Sequence, residues 1–207
     1  MTPRITHILR THALFALVLL ASAPGVSAAQ ESGGTSSERR EESSYGPGED
    51  LRVWLVTAGP GHEVWERYGH NALRVLNIRT GRDISYNWGV FDFKQVNFGA
   101  RFLRGRMLYR MAAFKTNAMV DMYTNADRRV VLQELDLTPA QKQELQTLAA
   151  INALPDNRQY TYQYYLDNCS TRIRDMLDLV LGGALEDQFR ALDSDATYRG
   201  HTKELTQ

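Results

Sequence analysis

A single cysteine, Cys169, limits the ways in which this chain can be stabilised. One cysteine forms no internal disulfide and no cysteine-rich zinc cluster, so both of those scaffolds are excluded. A hydrophobic core must therefore hold the fold, and 207 residues, 43% of them hydrophobic, suffice for one domain of moderate size. The 24 basic residues are balanced by 24 acidic ones, which argues against a strongly basic protein that binds nucleic acid.

Residues 1–29 have the pattern of a secretory signal peptide. Basic residues without acidic ones precede an apolar run at 13–21, and small residues offer a cleavage site near Ala28 or Ala29. The run has nine residues, far fewer than the roughly 20 that span a bilayer, and no later run is comparable. We predict cleavage of the signal peptide, no transmembrane segment in the mature chain, and a periplasmic or secreted location.

The segment 30–50 is rich in Ser, Gly and Glu and contains one aromatic residue, so it is too polar to form a core. We predict a disordered linker there and a folded domain over 51–207. Within the domain, β-branched and alternating apolar residues predict a first strand over 51–57. The same pattern predicts a hairpin of two strands over 70–76 and 84–88.

The middle of the chain has weaker patterns. Apolar periodicity predicts helices over 92–104 and 125–135, and short apolar runs predict strands over 107–114 and 118–123. These four elements complete a domain in which strands and helices are mixed along the chain.

Two helix starts are marked by local capping signals. Thr138 is followed by Pro139 and by Gln141, which together form a capping-box pattern ahead of a helix. Cys169 follows a polar pair and precedes apolar residues at helical spacing that continue to Gly182. The sequence therefore predicts that Cys169 lies in the first turn of a helix.

The predicted position of Cys169 has a chemical consequence. Unpaired N–H groups and the helix dipole stabilise a thiolate, and they lower a cysteine pKa from about 8.5 to between roughly 3.5 and 7.5. The alternative is a small buried hydrophobic residue. Two features favour the reactive thiol: Cys169 follows Asp167 and Asn168 instead of lying on the apolar stripe, and an unpaired thiol is a liability in an oxidising compartment.

A thiolate nucleophile needs a general base, and His70 is the candidate. It follows Gly69 at the start of a predicted strand, which can hold the imidazole rigidly. His62, in a glycine-flanked turn, and His201, in a polar tail, are weaker candidates, and a structural role is the alternative for His70. Asn87, on the neighbouring predicted strand, is the candidate to orient the imidazole, with capping of a turn as its alternative.

Three aromatic residues are candidates for substrate binding. Trp65, Tyr86 and Trp88 would line an acyl pocket, although aromatic residues at strand spacing also suit a core. Arginines interleaved with apolar residues over 101–110 suit either anionic lipid head groups or a solvated helix face. No His-Glu-x-x-His pattern or comparable ligand spacing occurs, so no metal and no cofactor are predicted.

Three segments carry a resemblance to a known family: WERYGHNALRV (Trp65–Val75), SYNWGVFDF (Ser85–Phe93) and YYLDNCSTRIRD (Tyr164–Asp175). In this order and spacing they resemble the Lnb N-terminal periplasmic domain family, with its GH motif, YNWG-like strand and NC-T-R helix start. That family resembles the circularly permuted branch of papain-like enzymes. The resemblance therefore implies an α+β, permuted papain-like fold with a small antiparallel sheet packed against helices. His70 matches the family histidine and Cys169 matches the family cysteine.

The resemblance also implies a function. It points to a thiol-dependent acyltransferase or hydrolase of the cell envelope that acts through a Cys-His pair. Its partners would be bacterial lipoproteins, from which an acyl chain is moved, or lipid esters at the membrane surface. The alternative is a non-catalytic periplasmic module that keeps the papain-like fold for binding or scaffolding.

Overall fold

An antiparallel sheet with helices packed against it organises the domain. The computed structural model describes residues 45–63, 66–91, 96–104, 106–192, 197–200 and 203. The described residues contain six strands: β1 (Leu51–Ala58), β2 (His70–Asn77), β3 (Arg82–Phe91), β4 (Leu108–Lys115), β5 (Val130–Glu134) and β6 (Gln159–Thr161). They also contain five helices: α1 (Phe98–Leu103), α2 (Thr116–Asn125), α3 (Pro139–Asn152), α4 (Cys169–Val180) and α5 (Ala184–Phe189).

The strand order is β5-β1-β2-β3-β4-β6, and every neighbouring pair is antiparallel. Because neighbouring strands run in opposite directions, the end of one strand lies beside the start of the next. One end of the sheet therefore brings together the end of β1, the start of β2, the end of β3, the start of β4 and the end of β6. The start of β5 lies there too, and we call this the site end, with Ala58, His70, Phe91, Leu108, Val130 and Thr161 as its residues.

The main core lies between one face of the sheet and helices α3 and α4. Alternate residues of the strands point into it, as the period-2 patterns predict. Its members are Leu51, Val53, Leu73, Val75, Tyr86, Trp88, Met111, Leu137, Leu145, Ala149, Tyr160, Ile173 and Val180. A smaller cluster of Val56, Ala72 and Met119 joins β1 and β2 to α2. The prediction of an α+β fold with an antiparallel sheet packed against helices is confirmed.

The elements with local signals lie where the sequence predicts them. The hairpin is formed by β2 and β3, and the predicted first strand is β1. At the start of α3, the Thr138 hydroxyl accepts a hydrogen bond from the Gln141 N–H at 3.3 Å. The Thr138 N–H donates in turn to the Gln141 side chain at 2.9 Å. This reciprocal pair satisfies two of the backbone groups that a helix start leaves open.

The strand predicted over 118–123 is wrong, because this segment belongs to helix α2. Buried or partly buried side chains recur at Thr116, Met119, Val120 and Tyr123, which is the spacing of one helical face. The β-propensity of the short run is overridden by this packing against β1 and β2.

The helix predicted over 125–135 is also wrong. The backbone of Asp127 adopts a φ of 54°, which stops α2, and the apolar run that follows forms β5. This strand pairs with β1, with Val56 opposite Leu132, so it occupies an edge that the sheet would otherwise leave open. Of the predicted helix over 92–104, the part Phe98–Leu103 forms α1 and residues 96–97 form a turn, whereas residues 92–95 lie outside the described residues.

The chain before β1 is described from Tyr45 onward. Residues 47–50 form a turn, and Asp50 is buried. Its carboxylate accepts hydrogen bonds from the Asn77 side chain at 2.5 Å and from Arg79 at 3.4 Å. The described structure thus begins six residues before the predicted domain boundary, whereas the predicted signal peptide and most of the predicted linker lie outside the described residues.

Candidate active site

Cys169 is the first residue of helix α4, and a capping box fixes that helix start. The Asn168 side-chain oxygen accepts hydrogen bonds from the N–H groups of Ser170 and Thr171, at 2.8 and 2.9 Å. The Thr171 hydroxyl accepts in turn from the Asn168 N–H at 2.8 Å. The cap uses two N–H groups of the first turn and leaves the N–H of Cys169 itself uncommitted.

His70 begins β2 at the site end, directly after a sharp bend at Gly69. Gly69 has a φ of 70°, and a Cβ there would lie 2.8 Å from the carbonyl oxygen of Ala58. A side chain at this position would therefore be strained and would also collide with the backbone of β1. The glycine allows the chain to turn into β2 at the point where the imidazole is needed.

Asn87 holds the His70 ring in one orientation. It lies opposite Ala72, two residues from His70, so both side chains project from one face of the sheet as diagonal neighbours. The Asn87 amide nitrogen donates to the Ser85 carbonyl at 3.1 Å, which fixes the amide and turns its oxygen towards the ring. That oxygen lies 3.2 Å from His70 Nε2. Because an amide oxygen only accepts, Nε2 carries the proton, and Nδ1 is left to accept one.

The His70 imidazole changes the pKa of the Cys169 thiol. Burial raises the pKa of the thiol, but a hydrogen bond from His70 and the charge of its ring lower it. The backbone N–H of Asn71 and the hydroxyl of Ser170, 3.9 Å from the sulfur, lower the pKa further. The net effect is a pKa of about 7, below the ordinary value of a cysteine. A large fraction of the thiol is therefore ionised near neutral pH.

Two residues that the sequence reasoning missed tie the helix start to β2. The Asn71 side chain donates to the Ser170 hydroxyl at 2.8 Å, and the Thr57 hydroxyl donates to the Asn71 side-chain oxygen at 3.0 Å. Residues 70–71 of β2 consequently lie alongside residues 169–170 of α4. The signal was present in the sequence, since Asn71 and Ser170 directly follow the two candidate catalytic residues.

Three buried or partly buried tyrosines interact electrostatically with the thiol. Burial raises the pKa of Tyr123 to about 12, against the lowering effect of the Arg128 guanidinium, which lies 4.7 Å from the ring centroid. Burial also raises the pKa of Tyr160 and Tyr162, and a negative charge on Cys169 raises both further. All three phenols are therefore neutral at physiological pH. Because they stay neutral, they place no negative charge near the thiolate.

The three predicted substrate-binding residues are placed differently. Trp65 lies outside the described residues, as does His201. Tyr86 is buried in the main core and lines a shallow cavity beside α3. Trp88 is 1% exposed, and its indole N–H donates to the Asn152 side chain at 2.6 Å. Both described aromatics thus have the core positions that strand spacing also allows.

Trp88 also contributes to a groove of about 930 Å³ between α3 and α4. Apolar side chains form one part of its lining: Trp88, Leu148, Ile151, Leu166, Met176 and Leu179. Polar and charged side chains form the other part, among them Arg172, whose guanidinium is paired with the Asp167 carboxylate close to Cys169 in the chain. The groove therefore follows α4 from Arg172 to Leu179.

The described part of the chain contains no group of three or more His, Cys, Asp or Glu side chains arranged to hold a metal ion. None of the helices described there combines the length and the apolar character needed to cross a membrane.

The lowered thiol pKa leads to a prediction on pH dependence. Only the thiolate reacts with iodoacetamide, so the alkylation rate of Cys169 should rise with pH around a midpoint near 7. His70→Gln should move the midpoint upward by more than one pH unit, because the lowering effects of the imidazole are lost and burial remains. Alkylation followed by mass spectrometry over pH 5 to 10 measures this.

The control for that experiment is His62→Gln, which removes an exposed histidine outside the site and should leave the midpoint unchanged. The urea-unfolded protein should titrate near 8.5, the ordinary value. An identical midpoint in the wild type, the His70 variant and the unfolded chain would contradict the interaction between the imidazole and the thiol.

The fold and the site together define a class of protein: an α+β domain with a cysteine at a helix start, a histidine at the start of a strand and an asparagine bonded to that histidine. The family model of the Lnb N-terminal periplasmic domain matches residues 44–203. The chain belongs to this family, and the identification from the three sequence segments is confirmed. A family of periplasmic domains agrees with the predicted export of the chain. Comparison with curated proteins and with solved structures gave no match.

Proposed function

We propose that this protein is a thiol-dependent acyltransferase or hydrolase of the cell envelope, with Cys169 as nucleophile and His70 as general base. The observation that supports this most strongly is the lowered pKa of the single thiol beside an imidazole whose other nitrogen is engaged by Asn87. A structural cysteine needs neither partner. The order of the residues, histidine on an early strand and cysteine at a later helix start, also supports a permuted papain-like arrangement.

In the first half of the reaction, the Cys169 sulfur attacks the carbonyl carbon of an ester or amide, and the thiol proton passes to Nδ1 of His70. A C–S bond forms, and the carbonyl oxygen becomes an oxyanion. When the tetrahedral intermediate collapses, the bond to the leaving alcohol or amine breaks. The leaving group takes the proton from the imidazolium, and a thioester remains on Cys169.

In the second half, an amine or water attacks the thioester. His70 takes the proton of the attacking group and returns it to the sulfur as the C–S bond breaks, so the thiol is restored. An amine acceptor makes the reaction an acyl transfer, and water makes it a hydrolysis. No step needs an oxidant, a reductant or a metal.

We assign stabilisation of the oxyanion to the first turn of α4. The N–H groups of Ser170 and Thr171 are already bound by the cap, so the N–H of Cys169 is the backbone donor that we assign to the oxyanion. The helix dipole adds a partial positive charge at the same place. Asn87 acts as a positioning residue, because it contacts the imidazole and not the substrate.

The groove along α4 supports a hydrophobic acyl donor. It includes Arg172 in the first turns of that helix, and the apolar part of its lining would remove a hydrocarbon chain from water. A volume of about 930 Å³ lies within the range of ligand sites in proteins. We therefore propose a lipid ester or a lipoprotein acyl chain as the donor.

The test is mass spectrometry of the mature protein after incubation with a bacterial membrane extract. We expect a mass increase of one acyl chain on the peptide that contains Cys169, and its removal by hydroxylamine, which cleaves thioesters. The Cys169→Ser protein is the matched control and should carry no hydroxylamine-sensitive adduct. If the wild type stays unmodified with the extract and with synthetic diacyl lipopeptides, the domain is a binding or scaffolding module.

A further inference from the structure

The connection between β3 and β4 emerges at the site end of the sheet. β3 ends at Phe91 and β4 begins at Leu108, on the same end of the sheet as His70. The short helix α1 lies within this connection. Both ends of the connection that contains α1 therefore lie at the end of the sheet where His70 lies.

The charged residues from Lys94 to Lys115, in and after the β3–β4 connection, are all basic. Between Phe93 and Val120 there are six basic residues and no acidic one: Lys94, Arg101, Arg104, Arg106, Arg110 and Lys115. The rest of the folded part, by contrast, has more acidic than basic residues. The positive charge of the domain is thus concentrated in and after the β3–β4 connection, and this favours an anionic partner.

Large aliphatic side chains near these arginines are exposed to solvent. Leu103 is 86% exposed and Val96 is 78% exposed, and both exceed every other large hydrophobic side chain described. Arg104 and Arg106, which follow Leu103, are exposed as well. We call Val96, Leu103, Arg104 and Arg106 the cationic tip. Exposed aliphatic groups beside guanidinium groups match an interface in which hydrocarbon lies below a layer of phosphates.

We propose that the cationic tip docks this domain on an anionic lipid bilayer. Arg104 and Arg106 would contact lipid phosphates, while Leu103 and Val96 would enter the boundary between head groups and acyl chains. The occupant is a lipid surface and not an acidic protein groove, because the tip exposes two large aliphatic side chains beside two guanidinium groups, as a bilayer interface requires, and no acidic residue lies between 93 and 120. Docking would hold the site end against the membrane.

The proposal goes beyond the proposed function and is tested without it. Binding of the mature chain to sedimenting vesicles is measured with vesicles of phosphatidylcholine alone and with vesicles rich in phosphatidylglycerol, which carry a negative surface charge. We expect binding to the anionic vesicles and little to the neutral ones. The Cys169→Ser protein should bind like the wild type, so loss of chemistry and loss of docking are distinguished.

Three variants test whether the cationic tip is the surface that binds the vesicles. Arg104→Gln/Arg106→Gln should weaken binding to anionic vesicles by about tenfold or more, since each arginine near an anionic surface contributes about fivefold. Leu103→Ser should weaken it severalfold without a change in charge. Arg79→Gln/Arg82→Gln, at the β2–β3 turn on the opposite end of the sheet, removes the same charge and should change binding less than twofold.

Several results would overturn the proposal. Absence of binding to anionic vesicles at low ionic strength would do so, and so would equal binding to neutral vesicles. Equal weakening by the two double variants would show that net charge alone drives association. Circular dichroism of each variant confirms that it is folded, and because the four substituted arginines and Leu103 are on or beside the surface, unfolding is not expected.

Discussion

Replacing Cys169 by Ser should lower acyl release from a diacyl lipopeptide by about a thousandfold or more. A serine hydroxyl is hardly ionised near neutral pH, so an imidazole arranged for a thiolate activates it poorly. His70→Ala should cause a loss of similar size because the base is removed. The double variant should be little worse than either single one, since residues that act as one catalytic unit are strongly non-additive.

Thermal melting of the same proteins separates lost chemistry from lost structure. Serine is close to cysteine in volume, and Cys169 caps no other group, so the Cys169→Ser protein should melt near the wild type. Wild-type activity in a well-folded Cys169→Ser protein would end the thiol mechanism. Additive losses in the double variant would mean that Cys169 and His70 act separately.

The second large effect is expected on stability. Trp88→Ala should lower the free energy of unfolding by about 3 to 5 kcal/mol, because the side chain is 1% exposed and its loss leaves a cavity in the main core. It also leaves the Asn152 side chain without its indole partner. Urea unfolding followed by circular dichroism measures the change.

The matched control is Leu103→Ala, which truncates a large side chain that is 86% exposed. It should change the free energy of unfolding by less than about 0.5 kcal/mol. A Trp88→Ala protein as stable as this control would contradict the core position of Trp88. It would favour instead a role of Trp88 that is confined to lining the groove between α3 and α4.

The parts of the fold that could be predicted from the sequence are those with local causes. A helix start depends on residues within one turn of one another, so Thr138 and Gln141 were sufficient for α3, and the polar residue before Cys169 was sufficient for α4. The β2–β3 hairpin likewise depends on neighbouring alternating runs and a short turn.

The errors concern segments whose structure depends on distant partners. The run 130–134 becomes a strand because the edge of β1 is available to it, and β1 is more than 70 residues earlier in the chain. The run 118–123 becomes helical because Met119 packs on Val56 and Ala72. Neither partner can be recognised from the segment itself, so propensity alone was misleading.

In the candidate site, too, the features with local causes were predictable and those that depend on distant partners were not. That Cys169 begins a helix and that Asn87 neighbours His70 could be inferred from element starts and strand order. The Asn71–Ser170 contact and the interaction of the tyrosines with the sulfur could not be inferred, because both require that α4 pack against a particular place on β2. Their sequence signal is only adjacency to the candidate catalytic residues.

The Asn71–Ser170 hydrogen bond has a consequence for how the chain matures. It joins residues 99 positions apart, so closing this loop costs about 4 kcal/mol of chain entropy before any contact compensates. During export the strands β1, β2 and β3 precede α4, and they can pair through local hairpins while the thiol is still distant from His70. The cysteine of such an intermediate is an ordinary one. The Cys169 thiol therefore becomes reactive only when α4 has packed against β2, and its reactivity can be used to follow this folding step.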